Sequence, residues 1–369
     1  MDASAPPEAK SQEEAKLEGF PMAEARVIAR RFAEPNPRIY WTDFIVSGTL
    51  GWAAFWAAVF AAPFSPLQIG LVLVASALLF RAVLFTHELA HLRKGTFGTF
   101  RFFWNIFAGM PFLVPSYSYT GVHIDHHRPG VYGSSRDGEY VSFGAGNPWK
   151  SVGYVMLSFI LPALLLVRFI VLTPLSWIVR PLRQVIWRRM SSLAIDLNYD
   201  RHPQNKDDDS TWLLQETGTT LLAVSVAALI ATGVLPLAVF GVWYAVTVTI
   251  LFVNSIRTLG AHAYRYAGDV KVTKTEEFLD SVNVPSKDPL SIVIAPVGLR
   301  FHATHHLFPA TPYHGLPGLH EALVAELPDT AAYLSTSRKS FAHAVARLWR
   351  EASEADRRKA SGAAAAKAA

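Results

Sequence analysis

Two long stretches without a charged residue constrain this chain more than any other feature. They run over residues 44–80 and residues 217–256, which is 37 and 40 residues. One helical crossing of a bilayer needs about 20 apolar residues, so each stretch is long enough for two crossings. Each also has a break near its middle, at Pro63 in the first and at Pro236 in the second. The sequence therefore predicts an all-α integral membrane protein with two transmembrane hairpins.

Nine of the thirteen histidines fall at four places in the sequence. Residues three or four apart lie on one face of a helix, so histidines with that spacing present their imidazoles together. Neutral imidazole nitrogens bind metals, and nine are more than one ion takes. The pattern predicts a site for two metal ions, and all-nitrogen ligation suits iron. The first box is His87 and His91, the second is His123, His126 and His127, the third is His302, His305 and His306, and His262 stands alone.

A third apolar segment, residues 152–179, is interrupted by Pro162, Arg168 and Pro174. The second and third boxes have to meet on one side of the membrane, so an even number of crossings separates them. The second hairpin already supplies two. We therefore expect an interfacial or re-entrant element here, and four membrane spans in total.

The placement of Lys and Arg indicates the orientation in the membrane. The turns near residues 61–66 and 233–241 carry no charge, whereas the regions on the other side of each hairpin are basic. We expect both termini and all the box histidines in the cytosol. The net charge of +5 is accounted for by a basic face against anionic lipid headgroups, and no nucleic acid partner is expected.

The chain divides into three regions. Residues 1–39 are a partly disordered cytosolic arm, residues 40–325 form the membrane domain, and residues 326–369 are a cytosolic helix with a disordered Ala/Lys tail. The chain has no cysteine, which excludes thiolate and iron–sulfur ligation within it. Any electrons that a metal site needs must come from a partner.

Two other kinds of metal protein deserve comparison. His87-Glu88-Leu-Ala-His91 matches the His-Glu-x-x-His pattern of zinc metalloproteases, in which the glutamate is the general base. A zinc protease needs one further ligand and leaves most of the other histidines without a role, so it remains a distant alternative. A metal transporter or sensor would place ionisable residues within its spans, and both long stretches lack them.

Five polar residues near the boxes are candidates for supporting the metal site. A carboxylate that accepts the second ring N–H orients a ligating histidine. Glu88, Asp125 and Asp137 are candidates for that role. Asn254, acting through a water, and Arg257, near the membrane interface, are two further candidates.

Taken together, the boxes after paired spans resemble the membrane-bound fatty acid desaturase superfamily, which includes related hydroxylases. The Asn…Ala-His of residues 254–262 and the run from His305 to His314 are similar to this family too, and the similarity covers residues 40–325. The resemblance implies a di-iron centre, four membrane helices and a cytosolic helical cap that carries the iron site. It also implies that the nine histidines above are the iron ligands.

The resemblance also implies the reaction. Removing hydrogen from an unactivated methylene needs a strong one-electron oxidant, which iron cycling between Fe2+ and Fe3+ can generate from O2. We expect an O2-dependent desaturase that introduces a double bond into the acyl chain of an acyl-lipid or acyl-CoA. The alternative is an acyl hydroxylase, because the same centre hydroxylates if oxygen rebounds before a second hydrogen leaves.

The substrate has to be oriented and the electrons supplied. Four aromatic residues are candidates for lining an apolar tunnel around the acyl chain, namely Trp104, Phe107, Phe112 and Tyr119. No His-Pro-Gly-Gly haem motif is present. The electron donor is therefore expected to be a separate ferredoxin or cytochrome b5-like protein with its reductase.

Overall fold

A computed structural model describes residues 20–93, 95–201, 206–268 and 270–368. Within these ranges the chain is all-α, as the sequence predicts, and extended backbone pairs only at isolated bridges. Residues 1–19, the part of the N-terminal arm where the sequence predicts disorder, lie outside the described residues.

The first predicted hairpin is present as two long helices. After α1 (Met22–Arg30), the chain forms α2 (Pro37–Phe60) and α3 (Pro66–Val83). Asn36 and Ser65 cap α2 and α3 with their side chains, and each helix then begins with a proline. Both residue types are favoured at these positions, so the local sequence sets where the two helices start.

The second span of this hairpin ends at the first box. α4 (Phe85–His91) continues α3 after a single intervening residue, and together they form one candidate span, Pro66–His91. His87 and His91 therefore project from the end of a membrane helix, as the sequence predicts.

The region between the hairpins is built from short helices. Two of them matter most for the site and the membrane: α6, which carries the second box, and α10, which is basic. The helices are α5 (Gly98–Trp104), α6 (Tyr117–His126), α7 (Trp149–Met156), α8 (Leu161–Leu166), α9 (Thr173–Ile178) and α10 (Arg180–Met190).

The prediction of four spans differs from the structure, in which the described residues form five helices long and apolar enough to cross a membrane. The additional one is Leu161–Ile178, in which a π-helical turn joins α8 to α9. Pro162 lies in the first turn of this helix, where no backbone N–H is needed, and Pro174 comes just after the π-helical turn.

Arg168, in the middle of this additional helix, is buried and paired. Its Nη2 atom donates to Glu216 Oε1 at 2.7 Å, and Arg183 Nη1 donates to Glu216 Oε2 at 2.5 Å. Glu216 is itself fully buried. The charge that argues against a span in the sequence is thus compensated by a carboxylate from another helix.

The second predicted hairpin is also present. It consists of α11 (Lys206–Ala231) and α12 (Ala238–Leu259). Gly233, in the turn between them, has a φ of +77°, a conformation that glycine adopts without a Cβ penalty. Three candidate spans therefore lie between the second and third boxes. Because the second and third boxes meet in one site, one of the three helices does not cross the membrane completely.

The remaining helices form a cap at the histidine end of the spans. Its apolar core joins α1 to helices that follow the spans, through residues such as Ala25, Phe278 and Leu319. The last helix runs through Ala368, into the segment where the sequence predicts a disordered tail; alanine has the highest helix propensity. The helices are α13 (Lys274–Asp280), α14 (Pro289–Ile294), α15 (His302–Leu307), α16 (Leu316–Glu326), α17 (Ala331–Ser335) and α18 (Phe341–Ala368).

Candidate metal centre

The nine histidines singled out in the sequence come together in two adjacent groups. In each group of four, one nitrogen per ring lies within 4.8 Å of the others. We call the groups site A and site B. His127 lies beside both, with its Nε2 atom 3.2 Å from His305 Nε2 and its ring stacked on His306. Site A is His87, His91, His123 and His305, and site B is His126, His262, His302 and His306.

No box forms a site by itself. Site A takes both histidines of the first box and one from each of the other two. Site B takes one histidine from the second box, two from the third, and His262 from the segment after α12. The helical spacing orients each box, but tertiary packing decides which histidines share a site.

The ring nitrogens that face the interior of each site are unusually close. His91 Nε2 lies 2.7 Å from His123 Nε2 in site A, and His262 Nε2 lies 2.9 Å from His302 Nε2 in site B. A neutral imidazole has one donor and one acceptor nitrogen. Wherever the outer nitrogen holds the proton, the inner nitrogens face one another as lone pairs, and a cation between them relieves that repulsion.

Three carboxylates fix the outer nitrogens in this way. Asp137 lies 2.9 Å from His126 Nδ1, Glu139 lies 2.7 Å from His123 Nδ1, and Glu277 lies 2.8 Å from His306 Nδ1. An ionised carboxylate only accepts hydrogen bonds, so each of these Nδ1 atoms donates, and in the neutral ring each Nε2 then presents its lone pair inward. This is the usual way in which proteins orient metal-binding histidines.

Sequence reasoning found one of these three carboxylates and missed two. Asp137 follows the second box in the sequence, ten residues after His127. Glu139 lies only two residues further and could have been found by the same argument. Glu277 lies on α13, where the neighbouring Thr273 and Glu276 form a capping box, and nothing in the local sequence connects it with a histidine.

The hydrogen bonds of Asp125 and Glu88 lead away from the histidines. Tyr199 donates to Asp125 at 2.9 Å, and Tyr40 donates to Glu88 Oε2 at 2.5 Å. Glu88 Oε1 lies 3.7 Å from His87 Nδ1, which is too long for a hydrogen bond. Glu88 is thus engaged in packing α2 against α4.

Asn254 and Arg257 bond to each other near the end of α12. Arg257 Nε donates to Asn254 Oδ1 at 3.0 Å, as side chains three residues apart on a helix can do. A role for either at the metal site remains a prediction.

Several buried ring nitrogens have no hydrogen-bond partner among the described residues. Both nitrogens of His87 belong to this set, and so does Nδ1 of His127, His302 and His305. Buried polar atoms nearly always have a partner. A metal ion in site A would supply one for His87, so the donor set fits metal ions well.

The electrostatic environment keeps most of these histidines neutral. Burial lowers the pKa of His127, His262, His302, His305 and His306, and the neighbouring histidines lower it further. Neutral imidazole is the form that binds metals. At site B one ring differs: burial disfavours the charged form of His126, but the adjacent Asp137 outweighs it and raises the pKa to about 9, so this ring releases a proton when it binds a metal ion.

An apolar cavity of about 340 Å³ lies between α2, α11, α12 and the additional helix. Its wall includes Trp52, Leu113, Ala223 and Trp243. The four aromatic residues predicted to line a tunnel are not among its lining residues. One of them, Tyr119, instead places its hydroxyl 3.0 Å from His123 Nδ1.

Comparison with known proteins gives two matches. The family model described as fatty acid desaturase matches residues 64–338, a range that contains all nine histidines. A ceramide hydroxylase of Caulobacter vibrioides (strain NA1000 / CB15N) is similar at 36% identity over 318 residues, which is 86% of this chain and 89% of that protein. No solved structure matches significantly.

Proposed function

The chain belongs to the fatty acid desaturase family, and on this basis we propose that it is an O2-dependent hydroxylase of a ceramide-type lipid. The observation that supports this most is the 36% identity to a protein named ceramide hydroxylase, over nearly the full length of both chains. The sequence alone favours a desaturase over a hydroxylase. The similarity to the ceramide hydroxylase favours a hydroxylase instead, because the name of that protein specifies the reaction more closely than the family name does.

We propose that sites A and B each hold an iron ion. The iron pair, when bound, would supply with O2 the oxidising power that an unactivated C–H bond requires. The nine histidines would hold the ions, while Asp137, Glu139 and Glu277 keep the protons on the outer nitrogens. All nine rings are largely buried, so the protein also keeps bulk water away from the reacting carbon.

The zinc protease alternative is poorly supported by the surroundings of Glu88. A general base has to reach a water bound to the metal. The contacts of Glu88 engage it in packing instead, because Tyr40 and the Tyr313 backbone N–H donate to Oε2, and Oε1 lies 3.7 Å from His87 Nδ1.

Hydroxylation and desaturation consume the same reagents. Each uses one O2, two electrons and two protons; hydroxylation inserts one oxygen atom into a C–H bond and releases one water, whereas desaturation removes two hydrogens and releases two waters. The electrons are proposed to come from a separate ferredoxin or cytochrome b5-like donor on the cytosolic side, where we also place both termini. The apolar cavity between the helices is large enough to hold part of a lipid tail.

The test is lipid profiling of cells that make ceramides and express the full chain. We expect a ceramide species that has gained one oxygen atom, and heavy-isotope label in it when the cells grow under labelled O2. Ceramide that has lost two hydrogens instead would replace the proposal with a desaturase. Unchanged ceramide together with altered glycerolipid acyl chains would contradict the substrate class.

A further inference from the structure

His262 is the only one of the nine histidines outside a box, and it is held differently from its neighbours. In site B, His126 and His306 each donate directly to a carboxylate. His262 Nδ1 instead lies 2.9 Å from the hydroxyl of Tyr132 and 3.2 Å from the hydroxyl of Ser281. The direction of these two hydrogen bonds decides which ring nitrogen carries the proton.

Both hydroxyls already use their single proton elsewhere. Tyr132 lies 2.9 Å from Asp280 Oδ2, and a carboxylate accepts, so the Tyr132 hydroxyl donates to Asp280. Ser281 donates to the backbone carbonyl of Glu277 at 2.8 Å. Each hydroxyl oxygen can therefore only accept from the His262 ring. Nδ1 of His262 must carry the proton, and the lone pair of Nε2 then faces His302 and the interior of site B.

We propose that Tyr132 is a positioning residue that sets the tautomer and ring orientation of His262 by relaying the acceptor character of Asp280. Tyr132 and Asp280 are each only 1% exposed, so water does not take over the role of either group at low cost. Through this relay, His262 receives indirectly the support that carboxylates give directly to His126 and His306. This inference rests on the proposed metal site.

Tyr140 provides a matched control. Its hydroxyl donates to the same oxygen of Asp280, at 2.8 Å, and it is buried to a similar degree. Its other hydrogen bond is accepted from the backbone N–H of Tyr266, whereas that of Tyr132 is accepted from His262. Replacing either tyrosine with phenylalanine thus removes one hydrogen bond to Asp280, but only Tyr132→Phe also removes the nearer of the two acceptors for His262 Nδ1 and leaves the longer contact to Ser281.

The experiment uses the purified full chain in detergent, freed of metal by a chelator and titrated with Co²⁺, whose visible absorption reports histidine ligation. We expect two bound ions per chain in the unaltered protein. Tyr132→Phe should weaken one of the two by about 10- to 100-fold, the usual effect of losing a residue that orients a ligand. Tyr140→Phe should retain both affinities, and His262→Ala identifies which site is affected.

Each other outcome has a definite meaning. Unchanged affinities in Tyr132→Phe would overturn the relay. An equal loss in Tyr140→Phe would also overturn it, because the effect would then come from the lost hydrogen bond to Asp280, which the two variants share. Asp280→Asn keeps the shape but removes the charge at the end of the relay; it should weaken the same site, and it replaces Tyr132→Phe if circular dichroism shows that variant to be unfolded. Failure of the unaltered chain to bind two ions would instead contradict the proposed metal centre.

Discussion

Replacing His305 or His126 with alanine is expected to abolish product formation while leaving membrane insertion intact. His305 belongs to site A and His126 to site B, so the pair tests both sites. Each substitution removes one inward-facing nitrogen from a group of four, and three remaining imidazoles hold an ion more weakly and in a changed geometry. The loss should reach the background of cells that lack the protein.

The measurement is product formation by mass spectrometry, with membrane-fraction immunoblotting to show that the variant is present. His343→Ala is the matched control, since His343 lies exposed on α18, away from both sites, and it should keep full activity. Full activity in both box variants would remove these histidines from the catalytic site.

Replacing Glu216 with alanine is expected to cause the largest loss of stability. Glu216 is fully buried and accepts hydrogen bonds from Arg168 and Arg183. Removing one partner of a buried ion pair costs about 3–5 kcal/mol, because the remaining charge is left without compensation. Here two guanidinium groups lose the carboxylate that they share.

Unfolding of the purified protein in detergent, followed by circular dichroism, measures this effect. The control is Glu326→Ala, which breaks the exposed ion pair between Glu326 and Arg31. An exposed pair contributes about 1 kcal/mol or less. Similar losses in both variants would show that the Glu216 network contributes little to the stability of the fold.

The sequence indicates which histidines lie together because their spacing is a local signal. The first histidine of each box lies three or four residues from the others, and a helix turns such a spacing into a shared face. Asp137 is also within reach of sequence analysis, because it lies close to the second box in the chain. Glu277 could not be found, because it reaches His306 only through the packing of α13 against α15.

The additional long apolar helix could not be predicted for a related reason. Arg168 makes the additional helix look unsuited to a membrane, and the residue that compensates it, Glu216, belongs to α11. Long-range pairing of this kind leaves no trace in local hydropathy. The histidine boxes do not distinguish hydroxylation from desaturation either. Both reactions can use one ligand set, and they differ in how the substrate carbon is placed.

We propose that sites A and B together hold two iron ions. Elemental analysis of the purified chain, combined with Mössbauer spectroscopy of protein grown on the iron-57 isotope, is the decisive measurement. We expect two irons per chain in a magnetically coupled pair. A single zinc ion per chain, with no coupled iron signal after reconstitution with ferrous iron, would contradict it.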